Sequence, residues 1–118
     1  MGITIYHNPN WSKSRESVKI LKKTSEPFII INYCKIGLSI NTINIILKKI
    51  GIEPIELIRK KDKTFVNLKL SDDQIKNKEF LVSIISKHPR IMERPIIINE
   101  NKGVIGRPPE NIYKILWI

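Results

Sequence analysis

The chain has 118 residues and carries 21 basic against 11 acidic side chains, a formal net charge of +10. That length fits one domain with a core of its own, and a hydrophobic fraction of 42% excludes a disordered chain. A single cysteine, Cys34, excludes an internal disulfide and a cysteine-rich zinc site; no apolar run nears the roughly 18 residues of a membrane span, and the first residues are too short and uncharged a stretch for a signal peptide, so a cytoplasmic protein is expected.

Ile3–Tyr6 is a β-branched and aromatic run, the first strand, and His7-Asn8-Pro9-Asn10 is a turn in which Pro9 stops strand pairing. Ser12 to Lys23 reads as a helix with Val18 and Leu21 on its inner face. After Pro27, the run Phe28-Ile29-Ile30-Ile31-Asn32-Tyr33 predicts a strand covered on both faces and parallel to the first, which makes a βαβ unit. Ser39–Ile50 is a second helix, capped by Ser39 and ended by Gly51, with Ile43, Ile46, Leu47 and Ile50 at helical spacing. Pro54–Arg59 is a helical turn, and Asp72–Lys87 reads as one or two helices burying Ile75, Leu81, Ile84 and Ile85. Ile96–Asn99, the turn at 100–103 and Val104–Gly106 form a hairpin. Pro108-Pro109 opens a last helix to Trp117, whose ring is expected in the core. Strand, helix, strand, then helices, a hairpin and a final helix describe one α/β domain over 1–118: a thioredoxin-like, glutaredoxin-type mixed sheet of about four strands, with a helical insertion over roughly 38–90.

The basic excess invites a nucleic-acid reading. Lysine supplies most of the cations and is spread along the chain, and no aromatic residues interleave with it as a single-strand platform requires. Weak, salt-sensitive adhesion to polyanions is expected rather than specific nucleic-acid binding.

Chemistry is expected in the loop after the first strand, where a helix N-terminus favours anions and ionised thiols. That loop reads His7-Asn8-Pro9-Asn10-Trp11-Ser12-Lys13-Ser14-Arg15. With Ile-Tyr-His-Asn-Pro at 5–9, Ser-Lys-Ser-Arg at 12–15, Leu-Ile-Arg-Lys at 57–60, Glu-Arg-Pro-Ile at 93–96 and Gly-Arg-Pro-Pro-Glu at 106–110, the chain resembles the arsenate reductase (ArsC) family over essentially its whole length. The resemblance implies a thioredoxin-like fold and reduction of arsenate to arsenite, with glutathione and glutaredoxin as co-substrates and no bound cofactor or metal. It implies that Arg59, Arg94 and Arg107 bind the oxyanion, that His7 lies near the thiol, and that Pro95 is the cis-proline beside the site.

The family's cysteine position holds Trp11, and Ser14 removes a second thiol in Cys-x-x-Cys register. An indole donates one N–H, accepts nothing and cannot act as a nucleophilic thiolate. The chain as written is therefore expected to be a catalytically degenerate member, a pseudoenzyme that keeps a relict site holding arsenate, phosphate or sulfate weakly, because a large ring crowds the pocket. Trp11 can also be read as an aromatic contact for a partner. One alternative is an active thiol oxidoreductase working through Cys34, or through a cysteine encoded at position 11, since the two codons differ at one base. The other is a non-catalytic protein-binding module related to the family's transcription-regulator branch. Glutaredoxin is the protein partner the resemblance implies, and a monomer is expected. Cys34 reads most simply as a small buried hydrophobe ending the second strand, His7 equally as a turn residue or a site residue, and His88 as a helix end before Pro89.

Overall fold

A computed structural model describes residues 2–24 and 26–116. Strand β1 (Ile3–His7) runs parallel to β2 (Phe28–Asn32), in register from Ile3 opposite Phe28 to His7 opposite Asn32. Helix α1 (Ser12–Lys22) makes the crossover between them. Strand β3 (Ile96–Ile98) lies antiparallel on the other side of β1, and β4 (Gly103–Ile105) is antiparallel to β3, giving a mixed sheet in the order β2-β1-β3-β4.

The two central strands are apolar on both faces because the sheet is covered on both sides. Ile3, Ile5 and Ile97 join Val18 and Leu21 of α1, with Ile112 and Ile115 from the C-terminal segment. Tyr6, Ile96 and Ile98 point the other way, into a larger cluster. That cluster is built by α3 (Ile40–Ile50) and by the stretch that follows it: α4 (Lys63–Leu68), α5 (Asp72–Lys76) and α6 (Lys78–Lys87). Full burial of an isoleucine is worth about 1.5–3 kcal/mol, so the opposed pair Ile5 and Ile97, both inaccessible, pins the register of β1 against β3. Ser39 accepts a hydrogen bond from the Thr42 N–H at the start of α3, and Gly51 ends that helix in the left-handed conformation that a side chain disfavours.

Several expectations are corrected. The second strand is not covered on both faces: β2 is an edge, with Ile29 63% and Ile30 45% exposed, because α1 packs over β1 and α3 over β3 and β4. It also ends one residue early, at Asn32; Cys34 lies instead in a short helix, α2 (Tyr33–Ile36). Ile75 is only half-buried, while Leu81, Ile84 and Ile85 are buried as predicted. The fourth strand stops before Gly106, and the last helix is split into a 3₁₀ turn, Pro109–Ile112, and α7 (Tyr113–Leu116). The Asn111 side chain supports that turn by donating to the carbonyls of Ile105 and Arg107. Trp117 lies outside the described residues. Among those residues, no helix is long and apolar enough to cross a membrane.

Candidate functional site

The loop leaving β1 is fixed by its own polar groups. The Asn8 side-chain oxygen accepts from the Asn10 N–H at 3.1 Å, the Trp11 N–H donates to the Asn8 carbonyl at 3.1 Å, and buried Ser14 accepts from the Asn8 N–H at 3.3 Å. The Arg15 guanidinium donates to the Pro9 carbonyl. Trp11 therefore occupies the N-cap position of α1, where its side chain makes no capping bond, and the first turn holds no acidic residue. The helix end stays electropositive.

Two further segments bring arginines to that point. Ile58 and Met92 form an isolated antiparallel bridge, flanked by bonds from the Arg59 N–H to the Ile91 carbonyl and from the Glu93 N–H to the Leu57 carbonyl, both 2.7 Å. This places Arg59 and Arg94 on neighbouring backbones. The Arg94 guanidinium carbon lies 3.7 Å from the Trp11 ring centroid and that of Arg59 lies 4.9 Å away. Both are within range of cation–π attraction. Pro95 follows a cis peptide bond. The Gly106 N–H donates to the Pro95 carbonyl at 2.8 Å, and a Cβ at Gly106 would stand 2.7 Å from the Pro95 ring, so glycine is what lets the exit of β4 close on Pro95. Arg107 then shares a cleft of about 390 Å³ with Arg59, Lys60 and Lys61.

The electrostatics are uneven. Arg94 is 1% exposed; its Nη1 donates to the Arg90 carbonyl at 2.9 Å, while Nε and Nη2 have no partner. Arg59 has two carboxylates near it, Asp62 at 3.5 Å and Glu93 at 3.9 Å. Burial, then the neighbouring Arg94, lowers its pKa, and Arg107 adds to this against the pull of Glu93 and Asp62. Burial also lowers the pKa of His7, with Arg15 adding to the effect, and His7 Nδ1 is buried without a partner.

A model of the ArsC family matches residues 6–115. The chain belongs to the ArsC family. It is 40% identical over 117 residues to an arsenate reductase of Haemophilus influenzae, covering 98% of this chain and all of that one. It is 31% identical over 115 residues to an arsenate reductase of Neisseria meningitidis, covering 97% of each. A solved arsenate reductase from Vibrio cholerae superposes with a TM-score of 0.85 at 30% identity over 98% of both chains. The thioredoxin-like ArsC fold read from the sequence is the fold observed.

In this ArsC-family protein, Trp11 brings Arg59 and Arg94 together, and Arg107 joins Arg59 in its cleft, but Arg94 lines a separate cleft and Arg107 is exposed, so among the described residues no contact joins those two. Of the other residues of the neighbourhood, Cys34 and His88 were read mainly as structural and Asp62 was missed. Cys34 is exposed, not a buried hydrophobe, and its sulfur accepts from the Asn8 side chain at 3.6 Å. It lines a cleft of about 640 Å³ with Trp11, Arg94, Arg90 and His88. His88 does end α6, as predicted, but it also faces this cleft. Asp62, buried, caps α4 through the Thr64 N–H at 2.8 Å and lies within 3.6 Å of both Arg59 and Arg90. The one local signal for it was Asp62-Lys63-Thr64 ahead of an apolar pair, a weak capping pattern. Among the described residues, no group of three or more His, Cys, Asp or Glu is arranged to hold a metal.

Proposed function

We propose that this ArsC-family protein keeps an oxyanion-binding site but does not reduce arsenate by the thiol route. The observation that carries the reading is the Trp11 indole stacked beneath Arg94 at 3.7 Å, at the head of α1. In the related arsenate reductases the resemblance puts a thiolate there. A thiolate would be stabilised by the same guanidinium and helix end, and would attack the arsenic of a bound arsenate. The indole offers the arginines a π face and no electron pair for a new bond. Arg94, Arg59 and Arg107 would then hold a tetrahedral anion such as arsenate, phosphate or sulfate weakly, because the ring fills space beside them. Glutathione and glutaredoxin would have no arsenic-bearing thiol to act on.

Coupled arsenate reduction with glutathione and glutaredoxin tests this. The protein should show no turnover above background, and Trp11→Cys should gain it. Turnover by the unchanged protein at the rate of Trp11→Cys would overturn the reading. One observation favours the second reading, an active thiol oxidoreductase: Cys34 shares its cleft with Arg94. That reading predicts turnover that disappears in Cys34→Ser.

A further inference from the structure

The cleft between the first loop, α2 and the end of α6 holds features that an oxyanion site on Trp11 does not use. Cys34 is exposed there. Arg94 lines the same cleft with Nε and Nη2 unpartnered, although the residue is 99% buried by its 1% exposure. A buried guanidinium with open N–H groups is costly unless a ligand supplies acceptors. Arg90 adds a second cation, partly offset by Asp62 at 3.6 Å from its Nε, and among the described residues no acidic side chain lines the cleft itself. Burial pushes the Cys34 thiol up, while Arg94, the Tyr33 hydroxyl, Arg90 and Asn8 each pull it back toward the thiolate. The cleft, about 640 Å³, is in the size range of small-ligand sites.

We propose that Cys34 is a thiol–disulfide exchange site for small disulfides that carry carboxylates, with Arg94 and Arg90 holding the carboxylate end. In the step, the Cys34 thiolate attacks one sulfur of the disulfide. A bond forms between Sγ and that sulfur, the original S–S bond breaks, and the other half leaves as a thiolate that takes up a proton in place of the one Cys34 released. Cys34 is oxidised to a mixed disulfide and the departing half is reduced, so no further reactant is needed. The juxtaposition is specific: a disulfide held through its carboxylate brings sulfur to the one thiol in the chain. The inference does not rest on the loss of arsenate chemistry, since Cys34 and Arg94 meet whatever Trp11 does.

The test compares exchange rates of the full chain with oxidised glutathione, hydroxyethyl disulfide and cystamine at low salt, each divided by the rate for an uncharged small thiol under the same conditions. Intact mass reports the adduct. The anionic disulfide should exceed the cationic one by about tenfold, with the neutral one between. Raising the salt should shrink that ratio, as should Arg90→Gln, whose side chain is 59% exposed and can change without unfolding the protein. Arg94→Met should shrink it further. A normalised ratio below about threefold, a ratio that none of these changes moves, or no adduct on Cys34 would overturn the proposal.

Discussion

Arg94 and Arg59 both lie over the Trp11 ring, yet their surroundings differ. Arg59 sits at the rim of its cleft with Asp62 and Glu93 within 4 Å, and it shares that cleft with Arg107. Arg94 is buried, has one hydrogen bond to a carbonyl, and no carboxylate reaches it within ion-pair distance among the described residues. The first arginine is offset in part by its two carboxylates, although burial and the neighbouring arginines still lower its pKa. The second is held in place against its own preference for water, by packing under an aromatic face and by the backbone bridge at Ile58 and Met92. In a site built this way, an added anion gains most where the protein supplies least, at Arg94.

The largest effect should come from removing the uncompensated charge. Arg94→Met loses the bond to the Arg90 carbonyl, worth about 1 kcal/mol, and the stacking on Trp11, worth roughly 0.5–2 kcal/mol. It also removes a buried cation with two unpartnered nitrogens close to Arg59, a penalty of several kcal/mol in comparable settings. The balance favours the variant: urea unfolding should show a gain of about 1–3 kcal/mol in an anion-poor buffer. Sulfate should stabilise the unchanged protein and not the variant, narrowing the gap, because a ligand that binds only the folded state raises its stability. A loss of stability in Arg94→Met would mean that stacking and packing outweigh desolvation, and the contrast between the two arginines would fail.

The compensated side should respond in the opposite direction and less. Asp62→Asn keeps an N-cap acceptor for the Thr64 N–H but removes the charge between Arg59 and Arg90. Both arginines are partly exposed, so solvent screens much of the interaction. A loss of about 1 kcal/mol is expected by the same unfolding measurement. If Asp62→Asn is neutral while Arg94→Met stabilises, Glu93 alone suffices for Arg59.

Much of this arrangement was legible in the sequence, for identifiable reasons. The runs read as strands at 3–6 and 96–99 are short, rich in β-branched residues and bounded by turn residues, and they lie within a residue of the observed β1, which also takes in His7, and β3, which stops at Ile98. The paired motifs at 94–95 and 107–108 placed two arginines beside prolines, and the Gly106–Pro95 contact brings those two segments together. The run at 28–33 misled because composition cannot distinguish a central strand from an edge. Ile29 and Ile30 are apolar, yet they face solvent because the covering helices sit elsewhere. Cys34 was misplaced for a related reason. Its exposure depends on the chain turning helical at Tyr33, whose ring is buried, and nothing in a continuous apolar run marks that turn. Partnership is the least legible property: Asp62 is a local neighbour of Arg59, but whether Arg59 also meets Glu93 depends on a bridge between residues 34 positions apart, Ile58 and Met92.

The smallest effect tests the same contrast on a group that can shed its charge. His7, like Arg94, is a buried base with an unpartnered nitrogen, but an imidazole can lose its proton where a guanidinium cannot. Burial, with Arg15 adding to it, holds its pKa below the usual 6.5. Well above 6.5 the ring is neutral in both folded and unfolded chains and contributes no slope. Below 6.5 the unfolded chain takes up the proton first, so stability falls as the pH drops toward the lowered folded value. His7→Asn should remove that fall. The difference between the two unfolding free energies should be flat well above 6.5, then shift in favour of His7→Asn on acidification, with a slope no steeper than about 1.4 kcal/mol per pH unit. A difference that stays flat from neutral pH down to 5 would mean that His7 takes up a proton in the folded protein as readily as in the unfolded one. In that case burial without a partner would not penalise charge at this end of the sheet, and the reason given for the exceptional position of Arg94 would go with it.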